Sequence, residues 1–353
     1  MKLTNIDYLL SLDNPYQLNK SKKQDVLIKE LLKLDSFHYQ NCIEYRKILS
    51  SDSQSKYVLP VRLFKLLNLK SIKQEDVFKV LTSSGTTSQV VSKINLDKQT
   101  AQLQTKVLVH IMQSFLGKQR LPMLIIDHPS VVKSRAIFSA RGAGILGLST
   151  FGRDHTYALN DDMSIDFDAV KRFMEKHKGL DIFIFGFTFM VWQYFLEKLR
   201  DSNEQLDLSR AILVHSGGWK KLQDKAVDNQ TFKAELKKYC GIRKVHNFYG
   251  MVEQVGSIYV ECEYGHLHCP NFADIHFIDI ETMKSVPAGQ QGIIVVESVI
   301  PRSYPGHRLL TEDTGYLVGE DDCQCGRQGK YFAVTGRLPK AEVRGCSDTH
   351  ESK

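Results

Sequence analysis

Residues 181–200 read DIFIFGFTFMVWQYFLEKLR, a short apolar run followed by a longer mixed one. Ile182–Phe185 is apolar at every position, which is typical of a strand buried on both faces. Phe189–Arg200 mixes apolar and polar residues and predicts a helix. A buried strand that leads directly into a helix is the repeating unit of α/β folds with a parallel sheet.

The same alternation extends to both sides of this stretch. It predicts buried strands at Met123–Asp127, Ala211–His215 and Lys244–Phe248, and a helix at Thr231–Cys240. The predicted fold class is therefore α/β, with a parallel-rich sheet flanked by helices.

Outside this core the pattern changes twice. Residues 25–49 predict one or two amphipathic helices with an apolar side of Leu27, Leu31, Leu32, Leu34 and Phe37. From about Gly256 the chain predicts short strands, at Ser257–Glu261, Ile275–Ile280 and Gly292–Val299. The predicted segments are an N-terminal helical segment (1–54), an α/β core (55–255), a smaller β subdomain (256–335), and a hinge remnant with a C-terminal tail (336–353).

The composition is that of an ordinary globular protein: 353 residues, 42% hydrophobic and 25% charged. The net charge of +7 comes from scattered lysines, which favours a solvated basic face and suits an anionic nucleotide. The sequence contains no basic-aromatic module for nucleic acid, no apolar run of membrane-spanning length and no signal peptide. The seven cysteines are therefore expected to be reduced and the protein cytoplasmic, and the oligomeric state stays open.

Residues 82–89 read TSSGTTSQ, a hydroxyl-rich loop around one glycine. The glycine lets the backbone approach a ligand closely, and the hydroxyl groups can donate to phosphate oxygens. The spacing differs from that of an ordinary P-loop. Alone, the segment fits a polar surface loop equally well. Its candidate phosphate ligands are Ser83, Ser84, Gly85, Thr86 and Thr87.

Two later segments carry carboxylates that suit a nucleotide. Residues 247–253, NFYGMVE, close a predicted strand, where Tyr249 can stack on a base and Glu253 can bind Mg²⁺. In residues 309–315, LLTEDTG, Asp313 falls in a predicted turn and can accept both ribose hydroxyls. Arg308, just before them, can pair with a phosphate.

These motifs, in this order and followed by TGRLPKAEVRG at 335–345, resemble the acyl-adenylate-forming superfamily of acyl-CoA ligases and adenylation domains. Segments such as VLPVRLFK (58–65) and ILVHSGGWKKL (212–222) more closely resemble the acyl-protein synthetases of bacterial bioluminescence, which activate fatty acids within a fatty acid reductase complex. Phenylacetate–CoA ligases are similar more distantly. The resemblance spans about residues 55–348. It implies an adenylate-forming domain that activates a carboxylic acid with MgATP and passes the acyl group to a thiol.

The resemblance also assigns roles to individual residues. It implies that Arg337 contacts the ribose or phosphate. It implies an adenine slot lined by Ser216, Gly217, Gly218, Asn247, Tyr249 and Gly250. It implies an acyl pocket around Phe185, Gly186 and Phe187, with His155 as a further candidate. Core packing is the open alternative for the phenylalanines, and a structural role is the open alternative for His155. For Arg141, a role at the site and a structural role are both open.

The larger ligases of this superfamily continue into a mobile C-terminal domain that carries a catalytic lysine. This sequence ends at Lys353, so the domain is expected to be absent. Lys340, Arg344, Arg308 or a partner would then supply the positive charge for adenylation.

Four residues form a C-x5-H pattern followed later by C-x-C-G: Cys262, His268, Cys323 and Cys325. Three thiolates and one imidazole suit structural Zn²⁺ in tetrahedral geometry. Cys269 or His266 could replace one ligand, and unpaired cytosolic thiols are the alternative. The related phenylacetate–CoA ligases carry a similar pattern.

Cys346 follows Arg344 and Gly345 in a polar tail, and positive neighbours favour a reactive thiolate. The bioluminescence synthetases that this tail resembles are acylated on a cysteine near the C-terminus. The resemblance therefore favours acyl transfer to Cys346 and then to a partner reductase or carrier protein. A coenzyme A or carrier-protein ligase with Cys346 idle, and a non-catalytic nucleotide-binding scaffold, are the two rivals.

Overall fold

The computed structural model describes residues 5–51, 58–83, 91–132, 140–219 and 226–338. The helices in these ranges are α1 Asn5–Ser11, α2 Lys20–Asn41, α3 Ile43–Ser51, α4 Leu63–Leu66, α5 Lys98–Leu116, α6 Ala140–Ser149, α7 Phe167–Lys176, α8 Glu197–Arg200 and α9 Asn229–Cys240. The strands are β1 Leu59–Pro60, β2 Lys79–Thr82, β3 Lys93–Leu96, β4 Leu121–Ile125, β5 Gly152–Tyr157, β6 Ile182–Phe187, β7 Ala211–Ser216, β8 Lys244–Gly250, β9 Ile258–Glu261, β10 Leu267–His268, β11 Ala273–Ile278, β12 Gly292–Ser298, β13 Arg308–Glu320 and β14 Lys330–Arg337. Among these helices none combines the length and apolar character that crossing a bilayer requires.

The described residues divide into two compact units. The antiparallel unit comprises residues 5–114 and 250–338, and the parallel unit comprises residues 115–249. The N-terminal helices and the β-rich half of the chain thus share one unit. The four segments predicted from the sequence divide the chain at other places and stay a prediction.

The parallel unit is built on a sheet of strand order β5-β4-β6-β7-β8, in which every neighbouring pair is parallel. All six residues of β6 are buried, which confirms the strand predicted from the continuous apolar run. The predicted helix that follows is wound as a π-helix over Met190–Leu196 before it continues as α8. The carboxyl ends of β6 and β7 lie side by side, since Phe187 pairs with Ser216.

The antiparallel unit contains the strand order β11-β12-β13-β14-β10-β9, and β1 adds to β13 in parallel. A separate hairpin, β2–β3, precedes α5. Asp313 lies within the long strand β13, so its predicted position in a turn is wrong. The reason is pairing: β13 continues past Asp313 by hydrogen bonding to β14, with a register irregularity between Thr314 and Gly315.

The N-terminal helix α2 begins after Asn19, whose side chain accepts a hydrogen bond from the Lys22 amide at 3.2 Å. Its buried stripe includes Leu27, Leu31 and Leu34, as predicted. Leu32 and Phe37 are 57% and 41% exposed, so their placement on the apolar side is wrong.

Polar residues share the buried stripe of α2 because they find partners next to the strands of the same unit. The Lys23 ammonium group donates to the Cys269 carbonyl at 3.1 Å, and the Asp35 carboxylate lies 2.7 Å from His307 Nε2. These contacts, rather than apolar periodicity alone, orient α2.

Candidate active site and metal centre

The carboxyl end of β6 carries the predicted acyl-pocket residues. Phe185 and Phe187 lie on one face of the strand, with ring centroids 5.7 Å apart, and both are buried. Gly186 is required for packing, because a Cβ there would lie 2.8 Å from Ile126 Cβ and 2.8 Å from Val191 Cγ2. Both phenylalanines therefore pack in the core of the parallel unit, and their role as an acyl pocket stays a prediction.

The end of β7 carries the first half of the predicted adenine slot. The Ser216 hydroxyl donates to the Phe248 carbonyl of β8 at 2.9 Å. Gly217 adopts a φ of +84°, which favours glycine, and a Cβ on it would lie 3.1 Å from Phe187 Cδ1. The parallel unit thus brings Gly217 against Phe187, so an adenine-slot candidate contacts an acyl-pocket candidate.

The second half of the slot lies on β8. Asn247 and Tyr249 are two residues apart, so they point to the same side of the strand, and both are half-buried. Gly250 ends the strand, and a Cβ there would lie 3.1 Å from Ile258 Cγ2. Half-buried side chains at a strand end leave part of their surface for a ligand.

His155 lies apart from these residues. It belongs to β5, which is separated from β6 by β4, and its side chain is exposed. Its Nε2 donates to the carbonyl oxygen of Ser149 at 2.8 Å. This contact fits the interpretation of His155 as a structural residue rather than as part of the acyl pocket.

A buried ion pair follows β4, which the sequence interpretation missed. Arg141 Nε lies 3.0 Å from Asp127 Oδ2, and Arg141 Nη2 lies 3.2 Å from His128 Nε2. Burial raises the pKa of the Asp127 carboxyl, and the Arg141 guanidinium opposes that rise. The signal was Asp127-His128 directly after a buried strand, a position where charged groups commonly serve a site.

Glu253 lies in a short 3₁₀ turn of the antiparallel unit, Val252–Gln254, and is 7% exposed. Burial raises the pKa of its carboxyl group, whereas the positive charges of Lys65 and Arg337 lower it. The turn is held by Gln254, whose Nε2 donates to the carbonyl oxygens of Val296 and Gly306 at 3.2 Å. A fixed, buried carboxylate beside cations can hold a divalent ion.

Asp313 and Arg337 pair directly across β13 and β14. Arg337 Nε donates to Asp313 Oδ1 at 2.7 Å. The Asp313 amide donates to the hydroxyl of Thr311 at 3.1 Å, which fixes the strand at this point. The structure thus brings together two residues that the sequence assigned to the ribose separately.

Arg308 takes part in a different network. Its guanidinium lies 3.6 Å from Asp35 Oδ2 and 3.3 Å from Glu297 Oε1. Two carboxylates already compensate its charge, so a catalytic role for Arg308 stays a prediction.

Ser83 directly follows β2 and belongs to the predicted phosphate loop. Its amide donates to the Ser92 carbonyl at 3.1 Å, and its hydroxyl accepts from the Ser92 amide at 2.9 Å. These bonds tie the two ends of the loop together. Other predicted site residues lie outside the described residues: Ser84, Gly85, Thr86, Thr87, Lys340, Arg344 and Cys346.

The predicted zinc ligands converge in the antiparallel unit. One ligand atom from each of Cys262, His268, Cys323 and Cys325 lies within 4.8 Å of the others. Two Zn–S bonds of about 2.3 Å at a tetrahedral angle place sulfurs about 3.8 Å apart. The observed separations are 4.0 Å between the Cys262 and Cys323 sulfurs and 3.3 Å from Cys325 Sγ to His268 Nε2.

The two alternative ligands behave differently. His266 Nδ1 lies 3.5 Å from Cys323 Sγ, at the edge of the group. Cys269 is buried but is not part of the four-residue cluster. The soft donor set and its separations fit Zn²⁺ without either of them.

The fold is that of ligases that form acyl-adenylates. The structure superimposes on 2-hydroxyisobutyryl-CoA ligase in the postadenylation state with 2-HIB-AMP with a TM-score of 0.68 and 15% identity, covering 92% of this chain and 70% of that one. An open conformation of the same ligase with 2-HIB-AMP and CoA gives 0.66 and 16%, covering 92% and 77%. The predicted adenylate-forming fold is confirmed.

The chain belongs to the acyl-protein synthetase (LuxE) family, whose profile matches residues 2–353. It is 22% identical over 369 residues to the long-chain-fatty-acid–luciferin-component ligase of Vibrio harveyi, with 98% of this chain and 92% of that protein covered. The ligase of the same name from Aliivibrio fischeri is 24% identical over 363 residues, with 97% and 92% covered. The predictions of this family and of an ATP-dependent carboxylic acid ligase are confirmed.

Proposed function

We propose that this enzyme activates a long-chain fatty acid as acyl-AMP and transfers the acyl group to a thiol. In the first step a carboxylate oxygen bonds to the α-phosphorus of ATP, and the bond to the bridging oxygen breaks to release pyrophosphate. In the second step a thiolate attacks the acyl carbon and AMP leaves, so a thioester forms. The observation that carries the proposal is the buried carboxylate of Glu253 in its fixed turn, together with the hydrogen-bonded Asp313–Arg337 pair in the same unit.

The proposed nucleotide roles fall on several segments of the chain. In the antiparallel unit, Glu253 would hold Mg²⁺, and Asp313 with Arg337 would hold the ribose. Ser83 begins the phosphate-binding loop, and the other loop candidates are Ser84, Gly85, Thr86 and Thr87. The proposed adenine contacts come from Ser216, Gly217, Gly218, Asn247, Tyr249 and Gly250. Bound Mg²⁺ would supply Lewis-acid neutralisation of the charge that develops on the phosphates.

The fatty character of the acid is supported by the names of the two relatives and by the aromatic end of β6. Phe187 lies against Gly217, so an acyl chain there would meet apolar surface beside the nucleotide residues. Burial of apolar surface contributes about 0.8 kcal/mol per methylene, enough to hold a long chain without polar contacts. Because Phe185 and Phe187 are buried, an acyl chain can enter this pocket only if the two phenylalanine side chains change conformation.

The thiol acceptor in this proposal is Cys346, with a fatty acyl reductase or a carrier protein taking the acyl group from it. Its support is the family, which is described as acyl-protein synthetase, a name that implies a protein-bound acyl group. Lys340 follows the Asp313–Arg337 pair closely in sequence and is proposed to assist at the same step.

We further propose that Cys262, His268, Cys323 and Cys325 bind one structural Zn²⁺. They join the ends of β9, β10 and the β13–β14 connection, so a metal there would cross-link three segments of the antiparallel unit. A cytoplasmic location belongs to the same proposal, since thiolate ligands and a reactive Cys346 require a reducing compartment.

The decisive experiment is acid-dependent pyrophosphate release, measured with saturated fatty acids of increasing chain length. Glu253→Gln should lower the rate at least about 100-fold, because a neutral amide is a poor ligand for Mg²⁺. Glu281→Gln is the matched control, since Glu281 is exposed in a turn, and it should keep the wild-type rate. Pyrophosphate release that is independent of any acid, or unaffected by Glu253→Gln, would contradict the proposal.

A further inference from the structure

Lys65 is a cation beside the Glu253 turn that the sequence interpretation left unused. It lies half-buried on the short helix α4. Contacts of its neighbours Arg62 and Phe64 place α4 beside the strand of Asp313 and the turn of Glu253.

The first anchor of α4 is the strand that carries Asp313. Leu59 and Pro60 pair in parallel with Leu309 and Leu310, and the Val61 amide donates to the Leu310 carbonyl at 2.9 Å. One residue later, Arg62 Nη2 lies 2.7 Å from Glu312 Oε1.

The Arg62–Glu312 contact connects the start of α4 to the residue next to Asp313. Main-chain pairing and an ion pair thus fix the position from which Lys65 extends.

The second anchor is the turn that carries Glu253. Phe64 is 1% exposed and packs edge-to-face on Tyr304, with ring centroids 5.9 Å apart. The Tyr304 hydroxyl accepts a hydrogen bond from the Val255 amide at 3.1 Å. Phe64 adjoins Lys65 and Val255 lies two residues after Glu253, so one aromatic contact connects both backbones.

We propose that Lys65 is a catalytic cation of the adenylation step, whose ammonium group contacts the phosphate oxygens of ATP bound through Mg²⁺ at Glu253. This inference rests on the function proposed above. While the carboxylate oxygen bonds to the α-phosphorus and pyrophosphate departs with the bonding electrons, Lys65 keeps its proton and neutralises the charge that develops on the phosphate oxygens. Arg308 is less suited to this task because Asp35 and Glu297 hold it.

The test compares Lys65→Met with Lys65→Arg in fatty-acid-dependent pyrophosphate release. Lys65→Met keeps an unbranched apolar side chain but removes the charge, and it should lower kcat about 100-fold. Lys65→Arg should recover at least a tenth of the wild-type kcat, because it restores the positive charge. Lys73→Met is the matched control: the Lys73 side chain is 79% exposed on the same unit, and its rate should not change.

Two results would overturn the inference. One is a Lys65→Met enzyme with a kcat within threefold of wild type. The other is a Lys65→Arg enzyme as inactive as Lys65→Met, because a loss that does not depend on charge points to packing of α4. If Lys65→Met has a lower melting temperature than the wild type, the comparison is repeated with Lys65→Gln, whose side chain is uncharged but ends in a polar amide. Failure of the wild type itself to release pyrophosphate with any acid would instead refute the proposed function.

Discussion

Replacing Cys325 by alanine removes one of the four ligand atoms gathered in the antiparallel unit. The remaining three, on Cys262, Cys323 and His268, would hold Zn²⁺ with an open position. We expect about one zinc per wild-type chain and a much lower content in Cys325→Ala. Cys269→Ala should keep its zinc, because Cys269 is buried nearby but lies outside the four-residue cluster.

The expected effect on stability follows from linkage. Zinc that binds only the folded unit stabilises it by about 4 kcal/mol when free zinc exceeds the dissociation constant a thousandfold. In a unit of 150–250 residues, each kcal/mol corresponds to about 2–4 °C in melting temperature. Removal of zinc from the wild type should therefore lower the melting temperature by about 8–16 °C.

The assay combines metal analysis of zinc-replete protein with thermal melting before and after a chelator. Cys325→Ala should melt near the chelated wild type and respond little to chelator, whereas Cys269→Ala should respond as the wild type does. Substoichiometric zinc in the wild type would refute the site. Equal zinc loss in Cys269→Ala and Cys325→Ala would refute the assignment of ligands.

Two further predictions concern the acyl acceptor and pH. Cys346→Ser should release pyrophosphate at the wild-type rate but hold no hydroxylamine-labile acyl label, because serine is scarcely ionised near neutral pH; label at wild-type level on the variant would show that another cysteine is the acceptor. His215 is buried, and burial lowers its pKa to about 3, so it stays neutral in the folded protein while the unfolded chain takes up a proton below about pH 6.5. The free energy of unfolding should therefore decrease as the pH is lowered. This residue alone should account for a loss of about 1.4 kcal/mol between pH 7.5 and pH 5.5. Denaturant unfolding of His215→Gln should show a loss of unfolding free energy that is smaller than the wild-type loss by this amount over the same pH range. Equal losses in the variant and the wild type would exclude the effect.

Local patterns were sufficient for much of the parallel unit. The strands predicted around Phe183 and Val214 form, because an unbroken apolar run can be satisfied only by burial on both faces. The strand predicted around Val245 forms as well, although its second half is only half-buried. The Cys/His cluster was also predicted completely, because soft ligands of this kind have few other uses when they occur together.

Other features depended on partners far away in the chain. Asp35 and His307, 272 residues apart, share a hydrogen bond that makes a charged residue part of the buried face of α2. Leu32, by contrast, is exposed, although its residue type predicts burial. Periodicity reports only the residue's own helix and cannot identify which face another segment will cover.

The sequence by itself thus determined the fold class, the motif order and the members of the Cys/His cluster, since each is encoded in residue type and local spacing. Only the tertiary structure decided that Asp313 is paired to Arg337, that Arg308 is held by two carboxylates, and that the helix of Lys65 packs through Phe64 on Tyr304. The physical reason is that the energy of a charged side chain depends on its surroundings in space. Those surroundings are supplied by strands and helices distant in the chain.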